Sequence, residues 1–156
     1  MSITFTSPLA YPAGFVGFTS PTATLTSDKA PDLRSSQVMV SALGGTQTGV
    51  RIHRPSDPFT LTLKNPAKYA VAPVVDANGN VVGTVPLNVF TGLVRKGLYV
   101  VGTQVRVGYF RWEIGVPAGA DSVDAPNVRA MCGLGMGSIA DRAGSITEGV
   151  MNGNFA

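Results

Sequence analysis

The stretch Val105-Arg106-Val107-Gly108-Tyr109-Phe110-Arg111-Trp112-Glu113-Ile114-Gly115-Val116-Pro117 decides how the rest of the chain reads. Side chains alternate across a strand, so Val107, Tyr109, Arg111 and Glu113 oppose Gly108, Phe110, Trp112 and Ile114. One face is charged and aromatic, the other apolar, with Phe110, Trp112 and Ile114 expected as core. Pro117-Ala118-Gly119-Ala120 closes the strand. Asp121 and Asp124 then offer acidic N-caps, and Pro126 an early helix proline. Val128, Met131, Cys132, Gly135 and Ile139 follow at the spacing of one helix stripe. Gly133, Gly135 and Gly137 each cost such a helix about 0.8–1 kcal/mol relative to Ala. A helix that carries them is expected to pack closely against another backbone. Residues 145–151 form a second short helix or an irregular tail.

Upstream, residues 59–64 alternate strictly, with Phe59, Leu61 and Leu63 against Thr60, Thr62 and Lys64. Residues 50–54 alternate too, and a turn at Pro55-Ser56-Asp57-Pro58 joins the two runs. Residues 68–75 and 81–96 flank Asp76-Ala77-Asn78-Gly79-Asn80, and Asn-Gly between apolar runs signals a hairpin. Residues 97–104 read as a loop. Near the N-terminus, residues 3–6 and 22–26 alternate and are broken by Pro8, Pro12, Gly14, Pro21 and Pro31. Residues 37–43 favour a strand, with Gly44-Gly45 as the turn after it. The chain is therefore expected to be one α+β domain, 1–156: β-rich over 1–120 and helical over 121–156.

Of the 156 residues 44% are hydrophobic and only 13% charged, with a net charge of +3. Disordered chains show the opposite balance. The charge is uneven. Residues 51–111 carry eight Lys or Arg against two Asp, whereas residues 112–156 are net −3. A basic strand region is either a nucleic-acid platform or a solvated sheet face. Cys132 is the single cysteine and His53 the single histidine, which excludes an internal disulfide and a multi-cysteine zinc site. So few catalytic side chains predict a protein that is no enzyme and takes no metal, cofactor or small-molecule substrate. Neither a basic, apolar leader nor a membrane-length apolar run is seen, which predicts folding in a cytoplasm. Gly133-Leu134-Gly135-Met136-Gly137 lacks the strand context of a dinucleotide fingerprint.

Residues 109–121 resemble the last long strand of the coat proteins of leviviral single-stranded RNA bacteriophages. Val94-Arg95-Lys96-Gly97 is similar to a strand-end motif of their divergent members. The order of elements also agrees. The resemblance implies an N-terminal β-hairpin, an antiparallel meander, and one or two C-terminal helices that pack on the partner subunit of an intertwined homodimer. Dimers would assemble into an icosahedral virion in the bacterial cytoplasm, with loops between strands, residues 97–104 first and 76–80 second, making the contacts. The sheet would bind a hairpin of the RNA genome, for packaging and for translational repression. By the same resemblance, Tyr109 would stack on a base, with Arg111 and Glu113 beside it. Thr60 and Thr62 would be two further RNA-facing positions, and Lys64, Arg51 and His53 would share that face by alternation. Val128, Met131, Cys132, Gly133, Gly135 and Gly137 would lie at the dimer interface. Each has a plainer alternative: Tyr109 as a half-exposed sheet tyrosine, Arg111 as an ion-pair partner of Glu113, the threonines as β-formers, Cys132 as a buried thiol. The alternative for the whole chain is a β-rich nucleic-acid-binding dimer that builds no shell.

Overall fold

The computed structural model describes residues 3–155. Six strands form one antiparallel sheet in sequential order: β1 (Leu9–Ala10), β2 (Phe18–Asp28), β3 (Ser35–Gln47), β4 (Phe59–Lys64), β5 (Leu87–Tyr99) and β6 (Val105–Pro117). Three helices follow: α1 (Ala120–Val123), α2 (Ala125–Asp141) and α3 (Ala143–Asn152). The α+β meander with C-terminal helices expected from the sequence is thus observed.

Register turns the alternation of single strands into two faces. Gln37, Thr62, Leu93 and Arg111 stand in one row across β3 to β6, and Met39, Thr60, Arg95 and Tyr109 in the next. This is the polar face. The opposite face carries the rows Val38, Leu61, Val94, Phe110 and Ser36, Leu63, Gly92, Trp112. Gly92 interrupts an otherwise bulky strand for a steric reason: a Cβ there would lie 2.0 Å from the Trp112 ring. We expect Gly92→Ala to displace the indole and cost about 1–3 kcal/mol by overpacking. Thermal unfolding of the variant tests this, and an unchanged midpoint would refute it.

Several boundaries differ from the sequence reading. Residues 3–6 join no strand; the first short pairing is Leu9–Ala10 with β2. Gly44 and Gly45 do not turn the chain but lie inside β3. Gly45 has φ 68°, and a Cβ on it would sit 2.1 Å from the Ser20 carbonyl oxygen, so glycine permits a close irregular crossing with β2. Residues 50–54 are not a strand. The His53 N–H donates to the Val40 carbonyl, and Arg54 and Asp57 bridge each other. The expected hairpin around Asn78-Gly79 shrinks to one bridge, Val75 with Val81. The Asp76 carboxylate accepts from the Asn78 and Asn80 N–H groups at 2.9 and 2.8 Å and shapes the tip. Pro73, Gly83 and Pro86 prevent a longer ladder. Conversely β5 runs through Gly97 to Tyr99, paired with Val107 to Val105, so the loop is only residues 100–104.

The helices begin near the expected residues, but Gly119 rather than Asp121 is the N-cap of α1, with Asp121 in its first turn, and α3 starts at Ala143 instead of residue 145. Asp124 is the N-cap of α2 with proline in the first turn, but its carboxylate accepts from Asn127 Nδ2 rather than from backbone. The second helix is formed, and Gly153 ends it in the left-handed conformation. Gly144 of α3 meets Gly14 backbone to backbone; a Cβ on Gly144 would lie 2.1 Å from the Gly14 carbonyl oxygen. This contact ties the N-terminal segment to the last helix.

The buried apolar residues are mostly small: Ala23, Val40, Val116, Ala118 and Ala143. Among the described residues no large side chain is fully buried, and α2 buries none of its own. The accessible surface is 10923 Å². A compact monomer of 16.1 kDa exposes about 7,400 Å². This excess is the main energetic feature of the fold.

Candidate nucleic-acid interface

On the polar face, β4, β5 and β6 and the segment after β4 enclose an open groove of about 920 Å³. Lys64, Lys68, Arg95, Arg111 and Tyr109 line it, with Leu87, Val89 and Leu93 as apolar floor and the Thr91 hydroxyl among them. Antiparallel pairing sets Tyr109 opposite Arg95 and Arg111 opposite Leu93, so the aromatic ring stands among cations. Tyr109 is 75% exposed. Arg111 Nη2 donates to Glu113 Oε2 at 2.7 Å, and both side chains are well exposed. Lys64 Nζ lies 2.7 Å from Asp32 Oδ2 at the groove's end. Such a groove can hold a polyanion by its phosphates and a base by its π-face.

Thr60 and Thr62 belong to the same face but are buried, at 2% and 6% exposure. Thr62 Oγ1 donates to Gln37 Oε1 at 2.7 Å, and Arg95 Nη2 donates to the same oxygen at 3.0 Å. Gln37 Nε2 in turn donates to Asp28 Oδ2 at 2.6 Å. That hydrogen bond is the first cause of the lowered pKa of Asp28, followed by the Lys29 backbone N–H. These threonines therefore support the groove from beneath rather than line it.

Arg51 and His53 leave the groove altogether, because their segment is a loop. Arg51 bonds Asp57 through Nε, donates from Nη2 to the Gly97 carbonyl at 2.9 Å, and lies 3.8 Å over the Tyr99 ring. His53 Nδ1 accepts from the Phe59 N–H at 3.1 Å. Both residues fasten the 50–58 loop to the sheet. Arg95 and Lys68 also line the groove, beyond the residues expected from the sequence. The alternation of Thr91, Leu93 and Arg95 marks Arg95 on one face of β5, but the register is needed to match that face with Tyr109.

The apolar face opposes α2 across a cleft of about 500 Å³. Met131, Cys132, Gly135, Met136, Ile139 and Ala140 look onto Phe110, Trp112 and Ile114. The stripe drawn from spacing thus faces the sheet, without Val128 among the lining residues. Around Gly133, Gly135 and Gly137 an added Cβ would meet nothing within 4 Å in the single chain. Among the described residues no helix is long and apolar enough to cross a membrane, and no group of three His, Cys, Asp or Glu could hold a metal ion.

No protein-family model and no curated protein matches the sequence. A solved structure does. The chain of the virus-like particle of bacteriophage ESE020 superposes with a TM-score of 0.92 at 40% identity, over 97% of this chain and 99% of that one. An over-exposed sheet subunit with this likeness is a shell-forming structural protein. The chain belongs to the family of bacteriophage coat proteins that build such particles, the membership expected from residues 109–121.

Proposed function

We propose that this coat protein acts as a homodimer, a single coat domain per chain, and packages single-stranded RNA in the groove of its polar face. The observation that carries the proposal is the division of the sheet. One face collects Tyr109, Arg95, Arg111, Lys64 and Lys68 in an open groove, while the other is apolar and incompletely covered. The surface excess of the isolated chain is about 3,500 Å², more than the roughly 1,000–2,500 Å² that a typical obligate interface takes from each partner, so a dimer partner and further shell neighbours together would cover it. A partner's α2 laid on the apolar face would account for much of it and would bring Gly133, Gly135 and Gly137 against a backbone. Exposed apolar residues also cluster in two loops, Val71, Val74 and Val82 in one and Val100 and Val101 in the other. These are the contacts we assign between dimers. RNA hairpin loops present unpaired bases that fit Tyr109 beside the cations. The role is structural rather than catalytic, in a virion assembled in the host cytoplasm, with no cofactor required.

Electron microscopy and the ultraviolet spectrum of purified particles test the proposal. Wild-type particles should show a nucleic-acid spectrum. Tyr109→Ala should weaken RNA binding about tenfold, as loss of one stacked base implies. Arg111→Ala should lower the salt slope by about 0.7, as loss of one phosphate contact implies. Both variants should still dimerise. Particles with a protein-only spectrum would overturn the RNA reading, and a monomer by sedimentation would overturn the dimer.

A further inference from the structure

The groove's cations are not equally available. Lys68 has no acidic partner within ion-pair distance among the described residues, and Arg95 is held by the neutral Gln37 amide. Lys64 is different, because its acidic partner is itself fixed. Asp32 sits in the turn between β2 and β3. Its Oδ1 accepts from the Arg34 N–H at 2.9 Å and lies 3.0 Å from Ser35 Oγ, while Oδ2 meets Lys64 Nζ. The turn is tied down in its own right: Arg34 Nη1 donates to the Ala67 carbonyl at 2.8 Å, and the Asn65 N–H donates to the Arg34 carbonyl at 3.0 Å. Asp32 therefore cannot follow Lys64 when that flexible side chain reaches for a phosphate.

Resting on the RNA reading of the groove, we propose that Asp32 is a built-in competitor for RNA phosphate at Lys64, a residue that lowers affinity and sets how selectively the groove takes RNA. An RNA that makes only backbone contacts gains little at Lys64, since each phosphate there displaces a carboxylate already in place. An RNA that also stacks on Tyr109 has other interactions to draw on. The pairing with Lys64, followed by the Arg34 N–H and Ser35, holds the Asp32 carboxyl down to about 2. The competitor thus carries its charge at neutral pH, where it holds Lys64 against an incoming phosphate.

The full chain titrated with fluorescent single-stranded oligo(U) over a range of salt tests this. Asp32→Asn keeps an oxygen for the Arg34 N–H and removes the charge; Asp32→Ser likewise keeps a turn-capping oxygen. Both variants should bind oligo(U) roughly three- to tenfold more tightly, with a salt slope steeper by about 0.7, one newly neutralised phosphate. In a Lys64→Met background the Asp32 substitutions should change nothing. Unchanged or weaker binding by both variants would sink the inference while leaving the RNA reading intact. A gain that persists without Lys64 would also overturn it, as a diffuse field effect. A wild-type chain that binds no oligo(U) at any salt would overturn the RNA reading and this inference with it.

Discussion

Ile139→Asp should abolish particle formation. Ile139 lies on the α2 stripe that faces Phe110, Trp112 and Ile114, and it remains 43% exposed in the single chain. In the proposed dimer, that cleft and the partner helix close over it. A carboxylate there loses water without gaining a cation, since no basic residue lines the cleft. The penalty for such a charge is several kcal/mol. A shell repeats it at each dimer, so the loss compounds. Gel filtration and electron microscopy should find small, soluble or aggregated species and no shells. Ile139→Leu, which conserves volume, should assemble normally. Normal shells from Ile139→Asp would mean that the cleft stays open to water in the particle, and the assigned dimer face would be wrong.

Asp57→Ala should produce the largest loss of stability of the chain itself. Asp57 is 6% exposed, and its carboxylate joins Arg51 of the same loop to Lys96 of β5, with Lys96 Nζ at 2.8 Å. Removing it leaves two cations without their shared carboxylate, Arg51 over the Tyr99 ring and Lys96 over the Phe59 ring. Truncating one member of a buried pair costs about 3–5 kcal/mol, and the partly exposed Arg51 and Lys96 bring the expectation to about 2–3. For a chain of this length that is a fall of about 4–12 °C in the unfolding midpoint. Gly97 would lose an anchor too, since Arg51 also reaches its carbonyl. A midpoint unchanged within error would show that the 50–58 loop is held by its backbone bonds alone.

The same cluster has a defined pH response. The hydrogen bond from Arg51, with Lys96 adding to it against the opposing effect of burial, holds the Asp57 carboxyl below the usual range. A carboxylate with a lowered native pKa contributes stability that is fully present above its unfolded value, about 3.9. That contribution disappears as pH falls through the lower native value. The clamp should therefore survive mild acid and weaken progressively as pH falls below about 4.

Much of the fold was legible from residues alone. The alternation through β6 places Tyr109 and Arg111 on the groove face, whereas Glu113, on the same face by that rule, touches the groove only through Arg111 and borders the cleft under α2. The spacing of Met131, Cys132, Gly135 and Ile139 places the helix stripe that meets the sheet. Both readings rest on periods of 2 and 3.6, which are local properties of the backbone. The same rule puts Arg51 and His53 on that face, and the fold takes them off it. An alternating run of five residues becomes a strand only if another strand pairs with it, and here the backbone of that run is engaged elsewhere.

What the sequence by itself determined is the inventory: strands, helices, a polar and an apolar side to each, and a basic middle offset by an acidic end. Only the tertiary structure decided which of those residues reach solvent. Arg95 meets Gln37 across 58 residues, Arg51 meets Gly97 across 46, and Lys96 meets Asp57 across 39. Those bonds withdraw Arg51 into its loop and hold Arg95 half-buried against Gln37, while Tyr109 stays open to solvent. Such pairings depend on strand register, which is set by the packing of whole strands and is not written in any short run of residues.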